Sequence, residues 1–251
     1  MDLGLADRVY LVTGGARGLG RATADVLVAE GARVVLSGRT EDTLTAAVEE
    51  LGDRATYVVG DNADPDLPSR LMAAAQQRWE RLDGALVSVG GPPTGTVTAT
   101  TDEQWTAAFG SVFLGAVRVA REVAAEHGDG GSIAFVLSTS VRAPLPAMAV
   151  SNGLRPGLAM VAKQLADELG PRGIRVNGLL PGRVGTERVA ELDAMREDPE
   201  AARAAARERI PLGRYGEPSE FGRAAAFLLS PAASFVSGAL LPVDGGALRA
   251  L

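Results

Sequence analysis

The sequence contains no cysteine, one histidine and one lysine among its 251 residues. Without cysteine the chain cannot form a disulfide framework or a thiolate nucleophile, and one histidine cannot build a metal site from several imidazoles. We therefore expect no bound metal. The histidine, His127 in EHGDGG, is expected at an exposed helix end.

Two further absences limit the partners. The chain has no run of five basic residues and carries a net charge of −6, which disfavours binding to nucleic acid or to an anionic membrane surface. It also has no apolar stretch of about 18 residues, and its start, MDLGLADRVYLVTGG, lacks the charged head and apolar core of a signal peptide. We expect a cytoplasmic protein.

Short apolar segments alternate with alanine-rich helical patterns along the whole chain. The apolar segments do not alternate polar and apolar residues, so they predict strands of a parallel sheet buried on both faces. This pattern is typical of a single doubly wound α/β domain over residues 1–251. The segments are RVYLVTG, RVVLSG, ATYVVG, ALVSVG, SIAFVLST, IRVNGLLPG and ALLPVDGG.

A charged, alanine-rich segment at about 187–212 interrupts this series after the sixth apolar segment. It is either a solvated pair of surface helices or a mobile flap over a binding site. Its position after a strand end favours the flap, because ligands of such folds bind beyond the carboxyl ends of the strands.

The first strand leads into TGGARGLG, with glycines at 14, 18 and 20. Glycines at this spacing allow a tight turn and a close approach to a pyrophosphate, whose charge meets the N-terminus of the following helix. A simple tight turn is the alternative, but the position after the first strand of a βαβ series favours a nucleotide site.

The end of the second strand indicates NADP(H). No acidic residue is present there to bind a ribose 2′-hydroxyl; Ser37, Gly38 and Arg39 occupy the position, and Arg17 lies in the glycine loop. Two guanidinium groups there suit a 2′-phosphate. The alternative is two solvated surface arginines. Asp61 and Asn62, after the third strand, are candidates to contact the adenine.

Four segments together resemble the classical short-chain dehydrogenase/reductase family: TGGARGLG, IRVNGLLPGRVGT, RIPLGRYGEPSE and PVDGG. The resemblance implies a Rossmann-type sheet of seven strands, a nicotinamide cofactor, and a homotetramer or homodimer. It also implies that Pro181, Gly182, Val184 and Thr186 bracket the nicotinamide. The predicted cofactor-binding residues are Gly14, Arg17, Gly18, Leu19, Gly20, Ser37, Arg39, Asp61, Asn62, Gly90, Pro181, Gly182, Val184 and Thr186.

The catalytic positions of that family, Asn, Ser, and Tyr and Lys in Y-x-x-x-K, are largely replaced in this chain. The family serine corresponds to Ser138, and counting thirteen residues on puts Ser151 at the tyrosine position and Arg155 at the lysine position. The asparagine position is Val112. The resulting S-N-x-x-R arrangement resembles an atypical offshoot of the family, similar to 3-oxoacyl-carrier-protein reductases.

Neither the lysine nor a tyrosine offers a clear substitute. Lys163 is eight residues beyond Arg155 and so about 12 Å further along a helix. Tyr215, in the loop GRYGEPSE, is the one tyrosine outside the predicted strands, and it is only a weak candidate for a catalytic role.

Ser151 and Arg155 have two interpretations. Residues four apart share a helix face, so both side chains can point toward the cofactor, and with Ser138 they form the predicted catalytic set. Alternatively Ser151 or Asn152 caps the helix, with Pro156 tolerated near its first turn.

Three functions remain open. The first is an NADP(H)-dependent oxidoreductase of a small carbonyl or alcohol substrate, in which Ser138 orients the oxygen and Arg155 holds the ribose or a substrate anion. The second is a non-redox dehydratase or isomerase on the same scaffold. The third is a cofactor-binding protein without turnover.

Overall fold

The computed structural model of the protein describes residues 2–126, 130–195 and 197–250. His127 lies outside the described residues, so its expected place at an exposed helix end stays a prediction. The strands are β1 (Val9–Val12), β2 (Arg33–Gly38), β3 (Ala55–Val59), β4 (Gly84–Val87), β5 (Gly131–Val136), β6 (Ile174–Pro181) and β7 (Leu240–Val243). The α-helices are α1 (Gly18–Ala29), α2 (Glu41–Leu51), α3 (Leu67–Trp79), α4 (Asp102–Ala108), α5 (Gly115–Glu126), α6 (Ala149–Leu169), α7 (Glu187–Ala194), α8 (Pro199–Glu208) and α9 (Pro218–Leu229).

The seven strands form one parallel sheet in the order β3-β2-β1-β4-β5-β6-β7. The chain builds outward from β1 to β3, then returns to the other side of β1 and continues from β4 to β7. The order therefore reverses between β1 and β4, and a crevice opens at the carboxyl ends of these strands, where ligands of such sheets bind. The predicted doubly wound α/β fold is confirmed.

Two hydrophobic cores cover the two faces of the sheet. Apolar side chains of α1, α2 and α9, such as Leu27, Leu44 and Phe221, pack on one face. Side chains of α3, α5 and α6, such as Leu71 and Leu158, pack on the other. Burial on both faces explains why the strands are apolar without alternation.

Helix α6 begins at Ala149, two residues before Ser151, with Met148 at its N-cap position and no side-chain cap. The interpretation of Ser151 or Asn152 as helix cap is therefore wrong. Pro156 lies inside the helix, beyond the first turn, so the expectation that it is tolerated near the helix start is also wrong.

The alanine-rich helical pattern after the fourth apolar segment forms α4 and α5, which are joined by a π-helical segment, Phe109–Leu114. A Cβ on Gly115, just after that segment, would overlap the carbonyl group of Asn62. Wider π-helical turns often occur near functional sites, and this one lies beside the loop that follows β3.

Helix α9 is an element of the structure that is not among the predicted ones. Its start has recognisable signals: Pro218 in the first turn, and Glu217 and Glu220 forming a reciprocal capping pair. None of the helices in the described ranges is both long enough and apolar enough to span a bilayer.

Candidate active site

The glycine loop between β1 and α1 forms the first wall of the crevice. Gly14 has a φ of +59°, and a Cβ there would lie 3.0 Å from the Ser88 carbonyl oxygen. A Cβ on Gly20 would overlap the Gly14 carbonyl group. Both positions therefore require glycine. The N-cap residue of α1, Arg17, forms no side-chain cap, so the first amides of the helix remain available to an anion.

This loop is held against the end of β4 by a residue that the sequence analysis did not single out. The Thr13 hydroxyl donates to the Ser88 carbonyl oxygen at 2.6 Å and accepts from the Ser88 N–H at 2.8 Å. Asn62 donates to the same Ser88 oxygen at 3.4 Å. The signal available in the sequence was a residue with a hydroxyl group directly after an apolar strand.

The two predicted 2′-phosphate ligands are both exposed at the surface of this crevice. The Arg39 side chain is 82% exposed, and its Nε lies 4.0 Å from an Asp61 oxygen. Arg17 is also exposed. Ser37 differs from them, since its hydroxyl is fully buried and has no hydrogen-bond partner among the described residues.

The segment after β6 forms the opposite wall. Thr186 caps α7 by accepting from the Val189 N–H at 3.4 Å, and its methyl group would lie 3.6 Å from a Cβ on Gly18. Val184 is buried in a parallel bridge with Gly216. The structure thus brings Thr186, one of the predicted nicotinamide residues, next to the glycine loop, while Val184 is fixed against Gly216 two residues earlier.

The same crevice includes the loop after β4 and the end of β6. Gly90 borders open space, whereas a Cβ on Gly182 would press against Asp244. Pro181, the last residue of β6, pairs with Val243 in β7. Leu19 lies half-buried in the first turn of α1.

Ser138 and Ser151 are joined through a third serine, Ser140, which the sequence analysis missed. The Ser138 hydroxyl, half-buried after β5, accepts from the Ser140 N–H at 3.1 Å. The Ser140 and Ser151 hydroxyls are 3.1 Å apart and share a hydrogen bond. Ser151 is only 2% exposed. The spacing S-x-S after a strand was the signal available in the sequence.

Arg155 is a buried cation. It is 6% exposed, and its Nη1 donates to the Val136 carbonyl oxygen, at the end of β5, at 2.6 Å. Burial lowers its pKa to about 10, so it stays charged at neutral pH. No carboxylate of the described residues pairs with it. Burying an ion without a counter-ion costs several kcal/mol of folding free energy. A cation in this environment is therefore suited to bind an anionic or polar ligand.

Asn152 and Val112 fill the remaining positions near this helix. The Asn152 amide donates to the Leu145 carbonyl oxygen at 2.9 Å and accepts from its N–H at 3.0 Å, which fixes the loop before α6. Val112, at the family's asparagine position, packs with Ala108 and Val150 in a separate small apolar cluster. An apolar group there cannot relay a proton.

The remaining tyrosine and lysine candidates lie apart from these serines. The Tyr215 hydroxyl donates to Asp193 at 3.1 Å. Burial raises the pKa of Tyr215, which makes it a weaker acid than a free phenol. Lys163 is exposed on the surface of α6, and its Nζ lies 3.9 Å from Asp167 Oδ1.

Comparison with known proteins finds related sequences and structures over nearly the whole chain. Residues 14–247 match the family model described as enoyl-(acyl carrier protein) reductase. An uncharacterized oxidoreductase of Mycobacterium tuberculosis is 36% identical over 253 residues, covering 96% of this chain and 92% of that protein. The L-rhamnose 1-dehydrogenase (NAD(P)(+)) of Azotobacter vinelandii is 34% identical over 254 residues, with coverages of 96% and 97%. The L-sorbose reductase of Gluconobacter frateurii, solved with NADPH and L-sorbose, superposes with a TM-score of 0.91 at 29% identity over 100% of both chains.

Proposed function

This chain belongs to the short-chain dehydrogenase/reductase family, and from that premise we propose that it is an NADP(H)-dependent oxidoreductase of a small carbonyl or alcohol compound. The observation that carries the proposal is the packing of the glycine loop against both Ser88 and Thr186. This packing forms a cradle across the crevice at the carboxyl ends of the strands, the same edge of the sheet at which Ser138 follows β5.

The residues present fit a dinucleotide. Gly14 and Gly20 allow the tight turn that packs the loop on Ser88 and on its own backbone, and the first amides of α1, which a pyrophosphate would meet, lack a side-chain cap. The predicted cofactor ligands of the glycine loop and of residues 181–186 flank this cradle. When bound, a nicotinamide dinucleotide supplies or accepts the hydride.

The preference for a 2′-phosphate rests on Arg39 and Arg17. Both side chains are exposed, Arg39 directly after β2 and Arg17 in the glycine loop, and Gly38 stands where an acidic residue would accept a ribose hydroxyl. Asp61 lies near Arg39 at 4.0 Å, a distance at which an exposed ion pair contributes little and can be replaced by a phosphate.

Ser138 is the proposed donor to the substrate oxygen. Its hydroxyl oxygen already accepts the Ser140 N–H, so the hydroxyl hydrogen is free to point into the crevice and donate. Ser151 shares a hydrogen bond with Ser140, and protons reach the site through water or through Ser151. Arg155 holds the cofactor ribose or an anionic group of the substrate.

The two alternatives draw support from the same pocket. The buried Ser151 and the apolar cluster around Val112 leave no strong acid at the family's catalytic positions, which supports a binding protein without turnover. A non-redox dehydratase or isomerase is the other alternative, and it would need an acid or base from the substrate or from water. We propose in addition that the chain is one domain with a flap at about 187–212, acts in the cytoplasm, and assembles as a homotetramer or homodimer.

Steady-state absorbance at 340 nm tests the function. NADPH consumption with a panel of small ketones, sugars and oxo acids, lost in S138A, supports the reductase. A product of unchanged oxidation state identifies the non-redox enzyme, and NADPH binding without any product identifies the binding protein.

A further inference from the structure

The flap helices α7 and α8 are attached to the domain in an unusual way. Across residues 187–194 and 199–208 the one buried side chain is a carboxylate, Asp193, which is 2% exposed. A surface helix normally packs through an apolar stripe. In these two helices the apolar side chains that face inward, such as Val189, Leu192 and Ala202, are only half-buried, so the contacts of the fully buried Asp193 contribute to holding the flap in place.

Asp193 contacts three other segments of the chain. Its Oδ1 accepts from Arg183 Nη1, after β6, at 2.7 Å. Its Oδ2 accepts from the Tyr215 hydroxyl at 3.1 Å and from Arg203 Nε, in α8, at 3.4 Å. A buried carboxylate is stable as an ion only while these donors surround it. The four segments therefore move together, because separating them destabilises the buried charge.

Tyr215 completes the group. Its ring lies under the Arg183 guanidinium at 5.9 Å and the Arg207 guanidinium at 6.0 Å. Because burial raises its pKa, the hydroxyl keeps its proton and donates to Asp193. We call Asp193, Arg183, Arg203, Arg207 and Tyr215 the Asp193 cluster.

A cavity of about 540 Å³ separates the flap from α1. It is lined by Gly18 and Ala22 of α1 on one side and by Thr186, Ala190 and Tyr215 on the other. The flap therefore borders α1 across this cavity, and Thr186 and Glu187 at its start are the residues nearest to Gly18.

The Asp193 cluster is connected to the cradle through the backbone. Gly216 donates to the Arg183 carbonyl oxygen at 2.9 Å and accepts from the Gly185 N–H at 2.8 Å. Thr186 follows directly and faces Gly18. A displacement of Arg183 or Tyr215 thus moves the segment 183–186 that forms the second wall of the crevice.

We propose that Asp193 is a positioning residue that holds the flap and the segment 183–186 in the geometry that binds the nicotinamide half of the cofactor. The inference rests on the proposed function, because that function places the cofactor against residues 184 and 186. Asp193, which is 2% exposed, acts through its hydrogen bonds with Arg183 and Tyr215.

The test compares D193N and Y215F with E200Q as the matched control. D193N keeps the side-chain shape but removes the charge, and Y215F keeps the ring and removes one hydrogen bond. E200Q removes an exposed carboxylate from α8. Limited trypsin digestion reports flap opening through cleavage after arginines such as Arg188 and Arg207, and calorimetry reports NADPH affinity.

We expect D193N to be cleaved in the flap at least tenfold faster than the parent and to bind NADPH at least tenfold more weakly, with an unchanged unfolding temperature. Y215F should change in the same direction by less, and E200Q should behave as the parent. Bound NADPH should protect the parent flap but not that of D193N.

Parental cleavage and affinity in D193N would overturn the proposal. So would a general loss of stability in D193N with parental behaviour in Y215F, since Asp193 would then have only a structural role. If the parent itself does not bind NADPH, the cofactor assignment fails, while faster flap cleavage in D193N and Y215F still supports the positioning role.

Discussion

At the scale of single residues, Arg39 is the residue on which the cofactor preference depends. We expect the parent protein to bind NADPH more tightly than NADH, and R39A to reduce that preference by roughly tenfold to a hundredfold. The reason is that a hydrogen bond to a charged group contributes about 1.5–3 kcal/mol. Calorimetric titration with both cofactors measures the change.

The control for R39A is R223A, which removes an exposed arginine of α9. It should leave the ratio of the two affinities unaltered. Equal affinities for NADPH and NADH in the parent protein would contradict the assignment of Arg39.

Ser151 and Arg155 allow a second residue-scale prediction. The double change S151Y with R155K places a phenol beside an ammonium group one turn away, which lowers the phenol pKa. A positioned general acid contributes about 10²–10⁴-fold, so even a tenfold gain in ketone reduction, about 1.4 kcal/mol, is a modest expectation. NADPH oxidation with a simple ketone measures it.

Ser140 and Ser138 supply the controls for this gain. Ser140 Oγ lies 3.1 Å from Ser151 Oγ, so a tyrosine ring at position 151 would occupy the space of the Ser140 hydroxyl. Adding S140A to the double change should therefore increase the gain in ketone reduction. S138A should abolish it, because the substrate oxygen then loses its donor. A folded variant that binds NADPH yet reduces nothing would favour the non-redox or binding alternatives.

At the scale of elements, the start of α9 depends on one carboxylate. Glu220 accepts from Arg214 at 2.7 Å through each oxygen and from the Glu217 N–H at 2.7 Å. The Arg214 hydrogen bond lowers the Glu220 pKa to about 2. Because the pKa of this carboxyl is lower in the folded protein than its unfolded value of about 4.5, its ionisation stabilises the fold fully at pH values above 4.5. That stabilisation is lost as the pH falls towards 2.

We therefore expect E220Q to lower the unfolding temperature at pH 7, by a few degrees at most because the site is exposed. The difference from the parent should shrink as the pH falls from 4.5 towards 2. Thermal unfolding followed by circular dichroism at several pH values measures this. A difference that is independent of pH would show that the ion pair has no role.

At the scale of the whole molecule, several large apolar side chains remain on the surface of the single chain. Phe235, before β7, is fully exposed. Met160 on α6 is 69% exposed, and Phe109, in the segment between α4 and α5, is 46% exposed. Leu241 lies on β7, an edge strand of the sheet. Such patches are typical of interfaces, and symmetric copies are the commonest partners.

Light scattering should accordingly give two or four times the chain mass of 25.8 kDa. A charged residue at an interface is costly to bury, so M160D should shift the protein toward smaller species. The control is V97D, which changes an exposed apolar residue that lies outside α6 and β7. A parent protein that is monomeric at micromolar concentration would contradict the expected assembly.

The sequence by itself determined the strand and helix series, the glycine loop and the family. These features depend on near neighbours in the chain: hydrophobic period selects strand or helix, and glycine spacing selects the turn. The alanine-rich patterns after the second and third apolar segments form α2 and α3 for this reason. Helix starts were less well predicted, since α6 begins before Ser151 on the strength of tertiary contacts rather than a side-chain cap.

Only the tertiary structure decided the chemistry around the catalytic positions. Ser140 and Ser151 are eleven residues apart, and Asp193 and Tyr215 twenty-two, so no local pattern pairs them. The burial of Arg155 against Val136 likewise depends on where α6 crosses the end of β5. Side chains distant in sequence meet only after the strand order brings their segments together, and that order is a property of the whole sheet.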